Sequence, residues 1–140
     1  MSDGNRWSTA TLSQALTEAC GERIGVAQAE DGAVIAITMR EHGDLRIFLT
    51  VAADQIAAST LLWPVDEQPD PASFNEFLLK AQKLVPLSNF AITTVDGRDY
   101  YELIGELALD SPLAAVEEEL RVLADNAIDA ASDLRAEFAA

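Results

Sequence analysis

The stretch AVIAITMREHGDLRIFLTVAADQIAASTLLWP, from Ala33 to Pro64, decides the fold of this 140-residue chain. Three apolar runs separated by turn-forming clusters predict an antiparallel meander with one covered face. Leu45, Ile47, Leu49 and Val51 alternate with Arg46, Phe48 and Thr50, so period two sets an aliphatic row against a core and a mixed row on the other side. Ala33 to Met39 is apolar almost throughout, which predicts a central strand buried on both faces. Glu41-His42-Gly43-Asp44 and Ala53-Asp54 supply the reversals, with Gly43 free to take a positive φ. Pro64 cannot donate to a ladder and ends the last strand.

Upstream, Ser8 is a good helix N-cap, and Trp7 with Leu12 has the spacing of a hydrophobic staple. Leu12, Ala15, Leu16 and Ala19 repeat at helical spacing, and Gly21 is placed to close the helix in a left-handed conformation. Arg23 to Ala29 reads as a strand with Ile24, Val26 and Gln28 on one side, leading through Glu30-Asp31-Gly32 into the meander.

Downstream, the acidic, proline-rich run from Asp66 to Pro71 is an exposed connector. Ser73-Phe-Asn-Glu76 matches a capping box and predicts a helix from Phe74 to Leu84. Its stripe is Phe74, Phe77, Leu78, Ala81 and Leu84, with Lys80 and Lys83 facing water and Pro86 stopping it. Asn89 to Val95, Asp96-Gly97, then Arg98 to Leu107 form a second hairpin, since Asp-Gly between alternating runs is the strongest short-range hairpin signal. Tyr100 and Tyr101 must point to opposite faces, and Gly105 marks a bulge or the close approach of another backbone.

Ser111-Pro112 opens the last helix, cap followed by proline at the first helical position. Leu113, Val116, Leu120, Leu123, Ala127, Ala131, Leu134 and Phe138 carry one stripe through residues 112–138. Such a helix approaches 39 Å at about 1.5 Å per residue, longer than one small domain covers, so its far half is expected to need a partner. Asp125, Asp129, Asp133 and Glu137 stand four apart on the opposite face. A charge run of this kind is most often a solvated face; its sharper reading is a docking ridge for a basic partner.

The 24 acidic and 9 basic residues give a formal charge of −15, which opposes binding to nucleic acid and to anionic lipid. The longest uncharged run, Leu84 to Val95, is 12 residues, against the roughly 20 of a membrane span, so no membrane insertion is expected. With no cationic-then-apolar leader at the start and one cysteine, Cys20, the expected location is the cytoplasm. Cys20 is expected to be a small packed hydrophobe and His42 an exposed turn residue. One histidine and one cysteine cannot build a metal cage, and no nucleophile elbow, phosphate loop or dinucleotide fingerprint occurs, so neither enzyme activity nor a cofactor is expected.

The order helix, three or four strands, helix, two strands, helix describes an α+β domain spanning residues 1–140, with a single antiparallel sheet packed with helices. It resembles the fold of type III secretion chaperones. Leu62-Trp63-Pro64, Phe74-Asn75-Glu76, Lys83-Leu84-Val85-Pro86-Leu87-Ser88, Asp99-Tyr100-Tyr101, Gly105-Glu106-Leu107 and Leu123-Ala124-Asp125-Asn126 together resemble the YjfI-like family of uncharacterised bacterial proteins. That resemblance implies no assigned activity. It implies a cytoplasmic binding or adaptor role, and a partner among the phage-shock-type coiled-coil proteins of membrane stress.

The function expected is therefore a chaperone-like or adaptor module that presents a sheet face, an edge or the last helix to a protein partner, with homodimerisation as the simplest way to bury a leftover strip. Its candidate partner-binding residues are Trp63, Tyr101, Asp125, Asp129, Asp133 and Glu137. The rival reading is a small-molecule site or cryptic enzyme with a pocket near Trp63 and a tyrosine.

Overall fold

A computed structural model describes residues 6–28, 32–85 and 87–134. In chain order it has α1 (Thr9–Cys20), β1 (Ile24–Gln28), β2 (Val34–Met39), β3 (Leu45–Val51), β4 (Gln55–Pro64), α2 (Pro71–Ala81), β5 (Asn89–Val95), β6 (Arg98–Ala108) and α3 (Leu113–Asp129). The strands make one antiparallel sheet in the order β1-β2-β3-β4-β6-β5. This is the α+β arrangement with a single antiparallel sheet expected from the order of elements.

The covered face follows from the register. Ile35 pairs with Leu49, Leu49 with Ala58 and Ala58 with Gly105, and these form one row under the helices. Ile37, Ile47 and Leu103 are fully buried beside it. Leu12 and Leu16 of α1 and Val116, Leu120 and Leu123 of α3 complete the core. Fully burying each such side chain contributes about 1.5–3 kcal/mol. Among the described residues the opposite face has no helix on it: Arg46, Phe48 and Thr50 are exposed. Val34, Ala36 and Thr38 on that face are half-buried, so β2 is enclosed on one side only, and the expectation of two buried faces is corrected.

The helix ends show where local chemistry governs. Ser8 caps α1 as expected, in a reciprocal box with Thr11: Thr11 N–H donates to Ser8 Oγ at 3.1 Å and Ser8 N–H to Thr11 Oγ1 at 2.9 Å. Trp7 is tied across the chain, its indole N–H donating to the Ser111 carbonyl at 2.7 Å. Gly21 has φ 55° but ψ −124°, a positive φ outside the left-handed helical well. The cap of α2 is Asp70 rather than Ser73, with Pro71 at the first position; Ser73 instead donates to Asp70 through both its backbone N–H and its hydroxyl. Proline's fixed φ is already helical, so the helix starts there. For α3 the cap position is Pro112, one residue later than expected.

Beyond Asp129 the last helix loosens into a π turn, Ala130–Leu134. The buried stripe passes from Ala127 to Ala130, three residues on, rather than to Ala131, which is exposed. Ala124 and Ala127 are also buried by the domain itself, so as far as Ala130 the far half of this helix needs no partner. Phe138 and Glu137 lie outside the described residues, as do Pro86, Glu30 and Asp31.

The second hairpin closes with Asp96 at φ 51° and Gly97 at φ 79°. Two successive positive φ values define a type I′ turn, as Asp-Gly requires.

Candidate partner-binding surface

The sheet ends at β5, whose outer edge is unpaired among the described residues. An open edge presents a row of unpaired backbone donors and acceptors. Around it lie large aliphatic side chains in water: Leu84 is 79% exposed, Leu79 70%, Leu87 61% and Ile92 48%. Leu84 was expected in the α2 stripe, but the α-helix stops at Ala81 and the tighter 3-10 turn Gln82–Leu84 swings it outward.

Three grooves meet here. One of about 200 Å³ lies between α2 and β5, walled by Leu78, Leu79, Phe90, Ile92 and Tyr101. A second, walled by Leu84, Val85, Phe90, Ala130 and Leu134, is rimmed by Asp129 and Asp133. A third shares Leu79 and Val85 with them and is rimmed by Lys83. The shared walls join the three grooves, with Asp129 and Asp133 on the α3 side and Gln82, Lys83, Asn89 and Glu106 lining the other end.

The acidic column divides. Asp125 is engaged by its own domain: His42 Nε2 lies 2.8 Å from Oδ1, and Arg121 donates to Oδ2 at 3.1 Å. Asp129 and Asp133 are exposed and have no salt bridge among the described residues. Two of the column's members thus reach the groove, while Glu137 lies outside the described residues.

Trp63 and Tyr101 are 3% and 1% exposed. The register of β4 on β6 shifts by one residue between Leu61 and Pro64, and this bulge turns Trp63 inward, where simple alternation would have sent it out. Its ring lies 5.9 Å from Tyr101 and 6.0 Å from Phe74, and Phe74 lies 5.1 Å from Tyr101 edge-on. The Trp63 indole donates to Gln68 at 2.7 Å and the Tyr101 hydroxyl to Asn75 at 2.6 Å. Burial raises the Tyr101 pKa, keeping it a neutral donor. These residues anchor α2 to the sheet; Tyr101 reaches the grooves only as a wall.

The other polar concentration is a cleft of about 530 Å³ between the end of α1, the Arg40–His42 turn and α3. His42 is only 16% exposed there, not the open turn residue expected. Cys20 donates to Glu117 at 3.4 Å. Burial first, then that carboxylate, raises the thiol pKa, so it stays protonated and a poor nucleophile. Arg23 and Arg121 are paired with Glu117, and with Glu118 and Asp125.

Sequence reading missed Leu79, Leu87 and Ile92 as surface features. For Leu87 and Ile92 the available signal was the uncharged run from Leu84 to Val95 in so acidic a chain; Leu79 lies outside it.

The fold is thus an open-edged α+β sheet with aliphatic side chains gathered at its last strand. The chain belongs to the family of uncharacterised proteins conserved in bacteria designated DUF2170, whose model matches residues 6–138. It is similar to the uncharacterised protein YjfI of Escherichia coli K12 and of E. coli O157:H7, each 35% identical over 125 residues, covering 89% of this chain and 92% of theirs. Among solved structures, one chain of the crystal structure of the ExsC–ExsE complex superposes with a TM-score of 0.52. That match covers 90% of this chain and 95% of the other at 15% identity, a likeness of fold.

Proposed function

We propose that this chain is a non-enzymatic protein-binding module, chaperone-like or adaptor, of the bacterial cytoplasm, and that its partner docks on the β5 edge. One observation carries the reading: Leu79, Leu84, Leu87 and Ile92 stand exposed around the outer edge of β5, which is open among the described residues. Exposed aliphatic surface of this concentration costs solubility, and it is retained where something covers it. The fold-level match to a chain from a two-protein complex supports a protein as that cover. The partner class implied by the YjfI-like resemblance is a phage-shock-type coiled-coil protein. Such a helix would lay aliphatic positions into the grooves and basic positions against Asp129 and Asp133.

The test is isothermal titration of a purified phage-shock-type coiled-coil protein against the wild type and a Leu84→Asp/Ile92→Asp variant. Both positions are exposed, so the variant should melt as the parent does. Saturable binding that weakens at least about tenfold in the variant supports the reading, a loss of about 1.4 kcal/mol. No binding removes that partner class. Capture from native cytoplasm that is identical for the two forms removes the β5 surface.

The small-molecule reading, expected near Trp63 and a tyrosine, meets a Trp63 packed away at 3% exposure and a Tyr101 that only walls the small groove beside α2; the cleft of Cys20 and His42 is the larger one, with a volume in the range of ligand pockets. Every arginine there is paired internally, so a ligand would have to displace those pairs. A metabolite panel that leaves Tm unchanged would count against it.

A further inference from the structure

The sheet face that no helix covers carries a pattern of its own. Phe48, Ser59 and Ile104 stand side by side on β3, β4 and β6. β3 and β6 each run antiparallel to β4, so they run parallel to one another. Two residues back along each from that row come Arg46 and Glu102, level with one another and one strand to either side of β4. Arg46 lies over the Phe48 ring at 5.9 Å, and Glu102 accepts the Ser59 hydroxyl. Neither has a salt-bridge partner among the described residues. The positions around them are small or apolar: Ala36, Ala57, Leu61 and Ala91.

We infer that a second copy of this chain packs on this face, about a two-fold axis running along β4. Such an axis lays β3 of each copy over β6 of the other. Arg46 then meets Glu102 of the second copy twice, Phe48 meets Ile104, and Leu61 meets its own counterpart. The alternative axis, crossing the strands at the Phe48 row, is rejected by charge. It sets Glu102 against Glu106 of the second copy, and opposed like charges cost several kcal/mol. Two twisted sheets pack within about 30° of each other and about 10 Å apart, a gap these side chains can span. Five of the six strands then overlap, and at about 4.8 Å between strands and about 3.4 Å per residue they cover roughly 570 Å² in projection. That is somewhat under the roughly 800 Å² per partner of a standard specific interface. The pairing goes beyond the β5 reading and leaves β5 and its grooves open.

Sedimentation equilibrium of the full chain tests this. The expected result is a dimer whose dissociation constant rises about a hundredfold in Arg46→Glu, equivalent to about 2.7 kcal/mol. Glu102→Arg should behave alike, and the double variant Arg46→Glu/Glu102→Arg should dimerise again. Phe48→Asp is a second route to the monomer, with circular dichroism and Tm as the check that each variant folds. A monomeric wild type overturns the inference, as does an Arg46→Glu variant that dimerises undiminished or a charge swap that stays monomeric. Leu84→Asp/Ile92→Asp should dimerise normally, so failure of the partner reading and failure of this one give different results.

Discussion

Glu119 shows how one residue can run against its surroundings. It sits among Val116, Leu120 and Leu123 on the buried side of α3 and is 4% exposed. Its Oε2 has no hydrogen-bond partner among the described residues. The carboxyl fills the space above Gly105, where an added Cβ would stand 2.2 Å from Oε2 and 2.8 Å from the carboxyl carbon. Gly105 was legible in the sequence as a point of close approach; that a carboxyl rather than a backbone comes near it was not. Desolvation raises the Glu119 pKa, so the folded state favours the neutral acid.

The sign follows from linkage. The stability this preference contributes is present below the ordinary Glu value near 4.3 and is lost as pH rises through the folded value. Glu119→Gln, which is neutral throughout, should therefore be more stable than wild type at neutral pH, with the gap closing below about pH 4. Urea titrations at both pH values check this; a constant gap would refute it. Gly105→Ala should cost about 1–3 kcal/mol by overpacking. The loss should shrink when Glu119 is also cut to Ala, a coupling that a double-mutant cycle measures.

At the scale of the element, caps and turns read from the sequence held where two local signals agreed. Ser8 as the N-cap, and Asp96 with Gly97 in the turn, formed as read, while the reciprocal partner Thr11 was added by the structure. Ser8→Ala should lower stability by about 1 kcal/mol, read as a shift in urea midpoint at unchanged slope. Ser73 failed as a cap because Asp70-Pro71 is the better start three residues earlier. Leu84 was misplaced because a 3-10 turn changes the angle per residue, and a stripe drawn at 3.6 residues per turn cannot follow. Trp63 was misplaced because a bulge added one residue to β4 against β6.

At the scale of the molecule, net charge and shape act together. A body of charge −15 whose apolar grooves are rimmed by Asp129 and Asp133 favours a partner with a basic flank, attracted over about one Debye length. Partner affinity should fall as salt rises, and Asp129→Asn/Asp133→Asn should flatten that dependence without changing Tm. A salt-independent affinity would place the partner elsewhere.

The sequence by itself determined the order and kind of the elements, the hairpin turn and the membership of most of the core. These depend on period, on backbone preferences and on contacts within a few residues. Only the tertiary structure decided that β5 ends the sheet with its aliphatics in water, that one face stays bare with Arg46 and Glu102 level upon it, and that Glu119 is buried over Gly105. Each of those depends on which strands become neighbours across long stretches of chain, and a pattern of period two or 3.6 is the same whichever neighbour is chosen.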